Sequence, residues 1–125
     1  MLTGIVNGID TTAWNPRSDR HIHRHYSEQD YAEGKYAARV ALAARLGHAA
    51  PDPRPLVAFV GRLVDQKGVD LVVELLARMG GGGRAHFVVL GTGHNHAEEA
   101  LRRVAAAFPG TIDVVIGFEI GRAHV

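Results

Sequence analysis

The chain lacks several features that mark broad classes of protein. None of its 125 residues is cysteine, so it has neither a disulfide framework nor a thiolate metal site, which fits a reducing compartment. Its formal net charge of +1 is not that of a dedicated nucleic-acid-binding protein. No apolar run approaches the roughly 20 residues needed to cross a membrane, and the start "MLTGIVNGID" lacks the basic end and apolar stretch of a signal peptide. We therefore expect neither a nucleic-acid nor a membrane partner.

Residues 1–54 are predicted to form an inter-domain segment. The stretch "NGIDTTAWNPRSDRHIHRHY" contains turn-forming asparagines and a proline, and its apolar residues are too scattered for one face, which predicts a loop. Ser27 is expected to cap a helix over 31–46, with Asp30 in place of the capping-box acid and Gly47 as the C-cap. The apolar positions expected on its inner face are Tyr36, Val40, Ala43 and Ala44. The prolines of "HAAPDPRP" then predict a linker.

Residues 55–119 alternate between strand and helix patterns. "LVAFV" (56–60) and "HFVVL" (86–90) are short continuous apolar runs, typical of strands buried on both faces, and "TIDVVI" is a third strand. Helices are predicted over 68–79 and 97–108. The inward positions of the first helix are Val69, Val72, Val73, Leu76 and Met79. This order predicts an α/β fold, specifically the first half of a Rossmann-like, doubly wound parallel sheet.

The turn after the first strand, "GRLVDQKG" (61–68), carries two cations, Arg62 and Lys67. In an α/β sheet this turn opens onto the ligand crevice, and the next helix presents its positive dipole end there. Placing cations at a helix start costs some tenths of a kcal/mol up to about 1 kcal/mol each. This cost suggests an anionic ligand, but the two residues taken alone fit equally a pair of solvated surface charges neutralised nearby by Asp65 and Asp70.

Known phosphate-binding motifs fit this turn incompletely. A P-loop would require a second glycine where Gln66 stands and a hydroxyl residue at Gly68, so the usual magnesium ligand is missing. The glycine spacing of a dinucleotide fingerprint is also absent, here and in the later "GTGHNH". The interpretation that remains is a diphosphate held by a guanidinium and an ammonium group, without a metal ion. This arrangement suits a nucleotide-sugar transferase, whose leaving diphosphate gains charge in the transition state.

The motifs "GIVNGIDTTAWNP", "GRLVDQKGVDLV", "LGTG" and "IGF" resemble, in order and spacing, those of bacterial glycogen synthases and plant starch synthases of glycosyltransferase family 5. The resemblance covers residues 1 to about 119. It implies a GT-B fold, in which two Rossmann-like domains face a cleft. It also implies transfer of glucose from ADP-glucose to the non-reducing end of an α-1,4-glucan with retention of configuration, without a cofactor and in the bacterial cytoplasm.

The resemblance assigns the catalytic cations. Arg62 and Lys67 are expected on the diphosphate of ADP-glucose, in agreement with the charge pattern. Asn7 of "NGID" is expected in the cleft near the sugar or the glucan acceptor. Because Asn-Gly pairs favour turns, a structural role for Asn7 is the alternative.

The resemblance also assigns the nucleotide contacts. Gly91, Thr92 and Gly93 follow a predicted strand, where glycine lets the backbone approach a nucleotide, and a simple turn is the alternative. Phe118 is expected to stack on adenine, and a core aromatic is the alternative.

The histidine-rich stretches raise the question of a metal site. His21, His23 and His25 of "HIHRH" would share one side if extended, yet arginines surround them. These histidines, like His94 and His96, are interpreted as solvated or locally hydrogen-bonded side chains. No metal is expected.

The last residues, 120–125 ("IGRAHV"), match the translation of a widely used sequencing adapter and are expected to be foreign to the protein. The chain is thus predicted to be an inactive internal fragment of the transferase. Two alternatives remain: another GT-B transferase that uses a UDP-sugar, and a stand-alone nucleotide- or anion-binding half-domain.

Overall fold

A computed structural model describes residues 3–117 of the chain, in which helices and strands alternate. The elements in chain order are α1 (Tyr31–Arg45), β1 (Leu56–Val60), α2 (Val69–Met79), β2 (His86–Gly91), α3 (Asn95–Ala107) and β3 (Ile112–Ile116). Short 3₁₀ turns at Asp65–Lys67 and Gly80–Gly82 precede and follow α2. Within this range, no helix is both long and apolar enough to cross a membrane.

The three strands form one parallel sheet in the order β1-β2-β3, as the sequence predicts. Leu56 of β1 lies beside His86, and Phe87 of β2 lies beside Ile112 of β3. Because the strands are parallel, the turns that follow them share one edge, which we call the carboxyl edge. Helices α2 and α3 provide the crossovers, so the predicted α/β architecture is confirmed.

The core lies between the sheet and these two crossover helices. Phe87 and Val89 of β2 point to the same face because strand side chains alternate, and both belong to the core cluster. The other buried members are Leu63, Val69, Leu76, Ala85, Ala97, Leu101 and Ile112. Helical spacing of Val69 and Leu76 in α2, and of Ala97 and Leu101 in α3, turns one apolar stripe of each helix toward the sheet.

The predicted burial of β1 on both faces is wrong. Val57 is 44% exposed and Val60 is 42% exposed, because β1 lies at the edge of the sheet among the described residues. Strand β2, between two neighbours, is buried along nearly its whole length. At the end of α2, Met79 is 38% exposed, so it does not lie inward as predicted.

The expected inner face of α1 is also wrong in part. Tyr36 is 63% exposed, Val40 and Ala44 are exposed as well, and only Ala43 of the four predicted positions is buried. The helix begins after Asp30, which replaces Ser27 as the N-cap. The two residues nevertheless interact as in a capping box, because the Ser27 backbone N–H donates to Asp30 Oδ1 at 2.7 Å.

Arg39 ties α1 to the proline-rich linker by donating to the backbone carbonyls of Asp52 and Arg54. Gly47 ends the helix with a φ of +80°, the left-handed conformation predicted for a glycine C-cap. The proposed domain limits at 54/55 and 119/120 stay predictions. Phe118 and the adapter-like residues 120–125 lie outside the described residues.

Candidate functional site

The turns that follow β1 and β2 are joined into one unit at the carboxyl edge. Leu63 is fully buried and its backbone N–H donates to the Thr92 carbonyl at 3.0 Å. The Leu63 carbonyl accepts from the His94 N–H at 3.0 Å, and the Gly61 N–H donates to the Leu90 carbonyl at 3.1 Å. The backbone on both sides of Arg62 is therefore fixed by the neighbouring turn.

The backbone of Lys67 is fixed by a separate local structure, a 3₁₀ turn followed by a glycine. Lys67 ends the 3₁₀ turn Asp65–Lys67, and its backbone N–H donates to the Val64 carbonyl at 2.9 Å. The next residue, Gly68, has a φ of +67°, a conformation that glycine adopts at little cost, and it redirects the chain into α2. The two cations thus flank a turn of defined backbone geometry.

The side chains of Arg62 and Lys67 are exposed. Within residues 3–117, neither has an ion pair or a hydrogen bond to another side chain. No ion pair joins either cation to Asp65 or Asp70 within these residues; Asp65 faces His96 instead, with 3.6 Å between Oδ1 and Nε2. Both cations are therefore available to a ligand. The role on a diphosphate and the alternative of solvated surface charges both stay predictions.

The start of α2 adds further donors. The Val72 N–H bonds to the Gly68 carbonyl, whereas within the described chain no acceptor is found for the N–H groups of Val69, Asp70 and Leu71. Free N–H groups at a helix start carry partial positive charge and attract anions. Together with Arg62 and Lys67, they give this turn the properties of an anion-binding site.

The glycines of "LGTG" have a packing role that the sequence did not reveal. A Cβ atom on Gly91 would lie 1.9 Å from the Gly61 carbonyl oxygen. A Cβ on Gly93 would lie 2.0 Å from the Leu63 carbonyl oxygen. Glycine is required here because the two turns approach each other closely. The expected contact of Gly91 and Gly93 with a nucleotide stays a prediction.

Thr92 and Gly93 share an acceptor on α3. The Thr92 hydroxyl and the Gly93 backbone N–H each donate to Glu98 Oε1 at 3.0 Å. These hydrogen bonds, that of Gly93 above all, lower the pKa of the Glu98 carboxyl group. Glu98, which the sequence reasoning did not single out, therefore fixes the "LGTG" turn to the helix that follows it.

Asn7, another predicted site residue, has no hydrogen bond to this site within residues 3–117. Asn7 lies in an exposed segment without regular structure, between Val6, which is 92% exposed, and Gly8. Among residues 3–117 no hydrogen bond of its side chain is found. Phe118 lies outside the described residues. The roles of both residues stay predictions.

A second polar group, missed at the sequence level, lies at the opposite end of the sheet. His48 and His86 both hydrogen-bond Asp113, although they are 65 and 27 residues away from it in the chain. The signal was present in His86 and Asp113, because polar residues in strands predicted to be buried require partners. The histidines of "HIHRH" form no such group within the described range.

Comparisons with known proteins agree with the motif resemblance. No protein-family model matches the chain. A glycogen synthase of Alkalilimnicola ehrlichii is 48% identical over 128 aligned residues, which cover 100% of this chain and 26% of that protein. A glycogen synthase of Anaeromyxobacter sp. is 46% identical, over 98% of this chain and 26% of that protein. The resemblance to glycogen synthases is confirmed. The chain spans about a quarter of the length of these curated relatives.

A solved structure extends the similarity to the starch synthases. The catalytic domain of starch synthase IV from Arabidopsis thaliana, bound to ADP and acarbose, matches with a TM-score of 0.77 and 32% identity. The match covers 92% of this chain and 24% of that one. It confirms the predicted assignment of the parallel sheet and its helices to a domain of a GT-B glycosyltransferase.

Proposed function

We propose that the protein containing this segment is a glycogen synthase that transfers glucose to the non-reducing end of an α-1,4-glucan. The segment contributes the diphosphate-binding part of the donor site. The observation that carries the proposal is the pair of exposed cations, Arg62 and Lys67, on a fixed backbone beside the free N–H groups of α2. Similarity to glycogen synthases along the whole chain supports it.

In the proposed reaction, the two cations stabilise the negative charge that develops on the leaving diphosphate. As the bond from glucose to the diphosphate breaks, the sugar becomes oxocarbenium-like and the leaving diphosphate becomes more negative. Fixed positive groups stabilise this arrangement more than the ground state, so they lower the barrier. Arg62 can form paired hydrogen bonds with phosphate oxygens, while Lys67 acts as a compact charge. In this proposal the two side chains take the place of a metal ion.

The donor is proposed to be ADP-glucose. The Arabidopsis neighbour, bound to ADP and acarbose, supports an adenine nucleotide and a glucan acceptor. In the proposed site, Gly91, Thr92 and Gly93 border the nucleotide, Phe118 stacks on adenine, and Asn7 faces the sugar or the acceptor. A UDP-sugar is the competing donor, because a diphosphate clamp by itself does not distinguish between nucleobases.

A direct assay of donor and acceptor tests this proposal. The full-length protein that contains this segment is incubated with glycogen and with radiolabelled ADP-glucose or UDP-glucose, and label in the precipitated polymer is counted. We expect incorporation from ADP-glucose at a much higher rate, and we expect the protein in the cytoplasmic fraction. Preferential incorporation from UDP-glucose would favour the competing transferase. Binding of ADP without any transfer would favour a nucleotide-binding module.

A further inference from the structure

Three side chains converge at the amino end of the sheet, opposite the carboxyl edge. His86 is the first residue of β2, Asp113 is the second of β3, and His48 follows α1. Asp113 Oδ2 lies 2.6 Å from His86 Nε2 and 2.8 Å from His48 Nε2. The ligand-type atoms of all three residues lie within 4.8 Å of one another.

One side of the His48–His86–Asp113 group is buried, and the other side is open to a cavity. His86 is only 5% exposed, whereas His48 is half-buried. Because strand side chains alternate, His86 lies on the sheet face opposite the core residues Phe87 and Val89. A cavity of about 230 Å³, lined by both histidines and by the linker, opens onto the group.

We propose that His48, His86 and Asp113 bind a divalent transition-metal ion, with zinc as the best match. Two imidazole nitrogens and one carboxylate oxygen form a known three-residue zinc ligand set, in which water takes the fourth position. In a tetrahedral zinc site, neighbouring ligand atoms lie roughly 3.3 Å apart, given bonds of about 2.0–2.1 Å. The present separations of 2.6 and 2.8 Å require each histidine nitrogen and the carboxylate oxygen to move apart by about 0.5–0.7 Å. The cavity leaves room for the water ligand.

The neighbouring charged residues, Asp52 and Arg54, pair with each other and so leave the three proposed ligands available for zinc. The carboxylate that lines the cavity, Asp52, pairs with Arg54 at 2.5 Å, and this contact holds the pKa of Asp52 well below its usual range. Arg54 in turn donates to the Gly110 carbonyl at 2.9 Å, so the Asp52–Arg54 pair is fixed to the turn before β3. Asp113 is therefore the carboxylate that remains for a cation.

A second group of similar composition is a poor candidate by comparison. Asp65, His94 and His96 also lie within 4.8 Å of one another, but all three are exposed. They stand at the carboxyl edge, where Asp65 belongs to the same 3₁₀ turn as Lys67, whose charge disfavours another cation. This exposed group thus offers a matched control.

Metal binding would join distant parts of the chain. Where each Nε2–H donates to the carboxylate, zinc binding requires the other tautomer of the histidine, in which the proton has moved to Nδ1 and Nε2 is free to coordinate. Zinc would also stabilise the fold, because it would bind the assembled group and only weakly the unfolded chain.

The test measures zinc itself in the full-length protein without a histidine tag. Protein stripped with a chelator is titrated with zinc in a competition assay, and bound zinc is counted by mass spectrometry after dialysis. The variants are His48→Ala, Asp113→Asn and the control His96→Ala, each checked for folding by circular dichroism. His48 is preferred to His86 because it is half-buried, so its removal perturbs the fold less.

We expect one zinc ion per chain at this group. His48→Ala and Asp113→Asn should weaken zinc binding by more than about 100-fold. Loss of a residue that only hydrogen-bonds a metal-coordinating side chain already lowers metal affinity by about 10- to 100-fold, and these two residues would coordinate the metal directly. His96→Ala should leave it unchanged, and zinc should raise the melting temperature of the wild type and of His96→Ala only. Failure of the wild type to bind zinc would overturn the proposal. Unchanged affinity in a folded His48→Ala or Asp113→Asn variant would do the same.

Discussion

At the scale of single residues, the turn after β1 combines a fixed backbone with free side chains. Leu63 is buried and hydrogen-bonded to the next turn, while its neighbour Arg62 is exposed and has no side-chain partner within residues 3–117. The fixed backbone matters because charges that are already in position stabilise a transition state without further reorganisation of the protein. The sequence predicted the two charges. Only the structure shows that neither cation forms an ion pair with Asp65 or Asp70 within the described residues.

Gly91 offers a test of the packing between the two turns. Gly91→Ala would place a Cβ atom 1.9 Å from the Gly61 carbonyl oxygen, so the backbone of one turn must shift. We expect a loss of about 3 kcal/mol in the free energy of unfolding, near the upper end for overpacked sites. Urea unfolding followed by circular dichroism measures it.

The control for this change is Gly82→Ala, because a Cβ at Gly82 meets nothing within 4 Å and the residue has no positive φ. We expect Gly82→Ala to change stability by less than about 0.5 kcal/mol. Equal stability of the two variants would show that the turns are not closely packed.

At the scale of elements, α3 is fixed to the turn that precedes it by Glu98. Its carboxylate accepts from the Gly93 backbone and the Thr92 hydroxyl, and these bonds lower its folded-state pKa from the ordinary value of 4.5. A lowered folded pKa gives stability that is present above pH 4.5 and is lost as the pH falls through the folded pKa.

Glu98→Gln should therefore make the turn less stable near neutral pH and reduce the loss of stability on acidification. Melting temperatures of wild type and variant, measured from pH 7 down to about pH 3, check this expectation. Glu99→Gln, which leaves the bonds to Thr92 and Gly93 intact, is the matched control. Parallel wild-type and Glu98→Gln curves would contradict the assignment.

The elements themselves were largely predictable from the sequence. Glycine at position 47 and the prolines after it predicted where α1 ends, and continuous apolar runs located the strands to within a residue or two. The burial of β1 was not predictable, because it depends on which strand lies at the edge of the sheet. The contact of His48 with Asp113 was missed for a related reason: it joins residues that only the folded topology brings together.

At the scale of the whole molecule, the chain corresponds to about a quarter of its relatives' length. A GT-B transferase aligns its substrates in a cleft between two domains, so this segment should not catalyse transfer alone. We expect no glucose incorporation from ADP-glucose into glycogen by the isolated 125-residue chain, under conditions in which the full-length protein is active. Turnover by the isolated chain would show that the other domain is dispensable.

The diphosphate clamp is the central claim, and kcat for glucose transfer tests it most directly. Arg62→Ala and Lys67→Ala are made in the full-length protein, with Arg84→Ala, an exposed arginine just before β2, as the control. Each clamp variant should lower kcat by at least about 100-fold, as expected for the loss of a group that stabilises transition-state charge, while Arg84→Ala stays near the wild-type value. Near-wild-type kcat in both clamp variants would contradict the account.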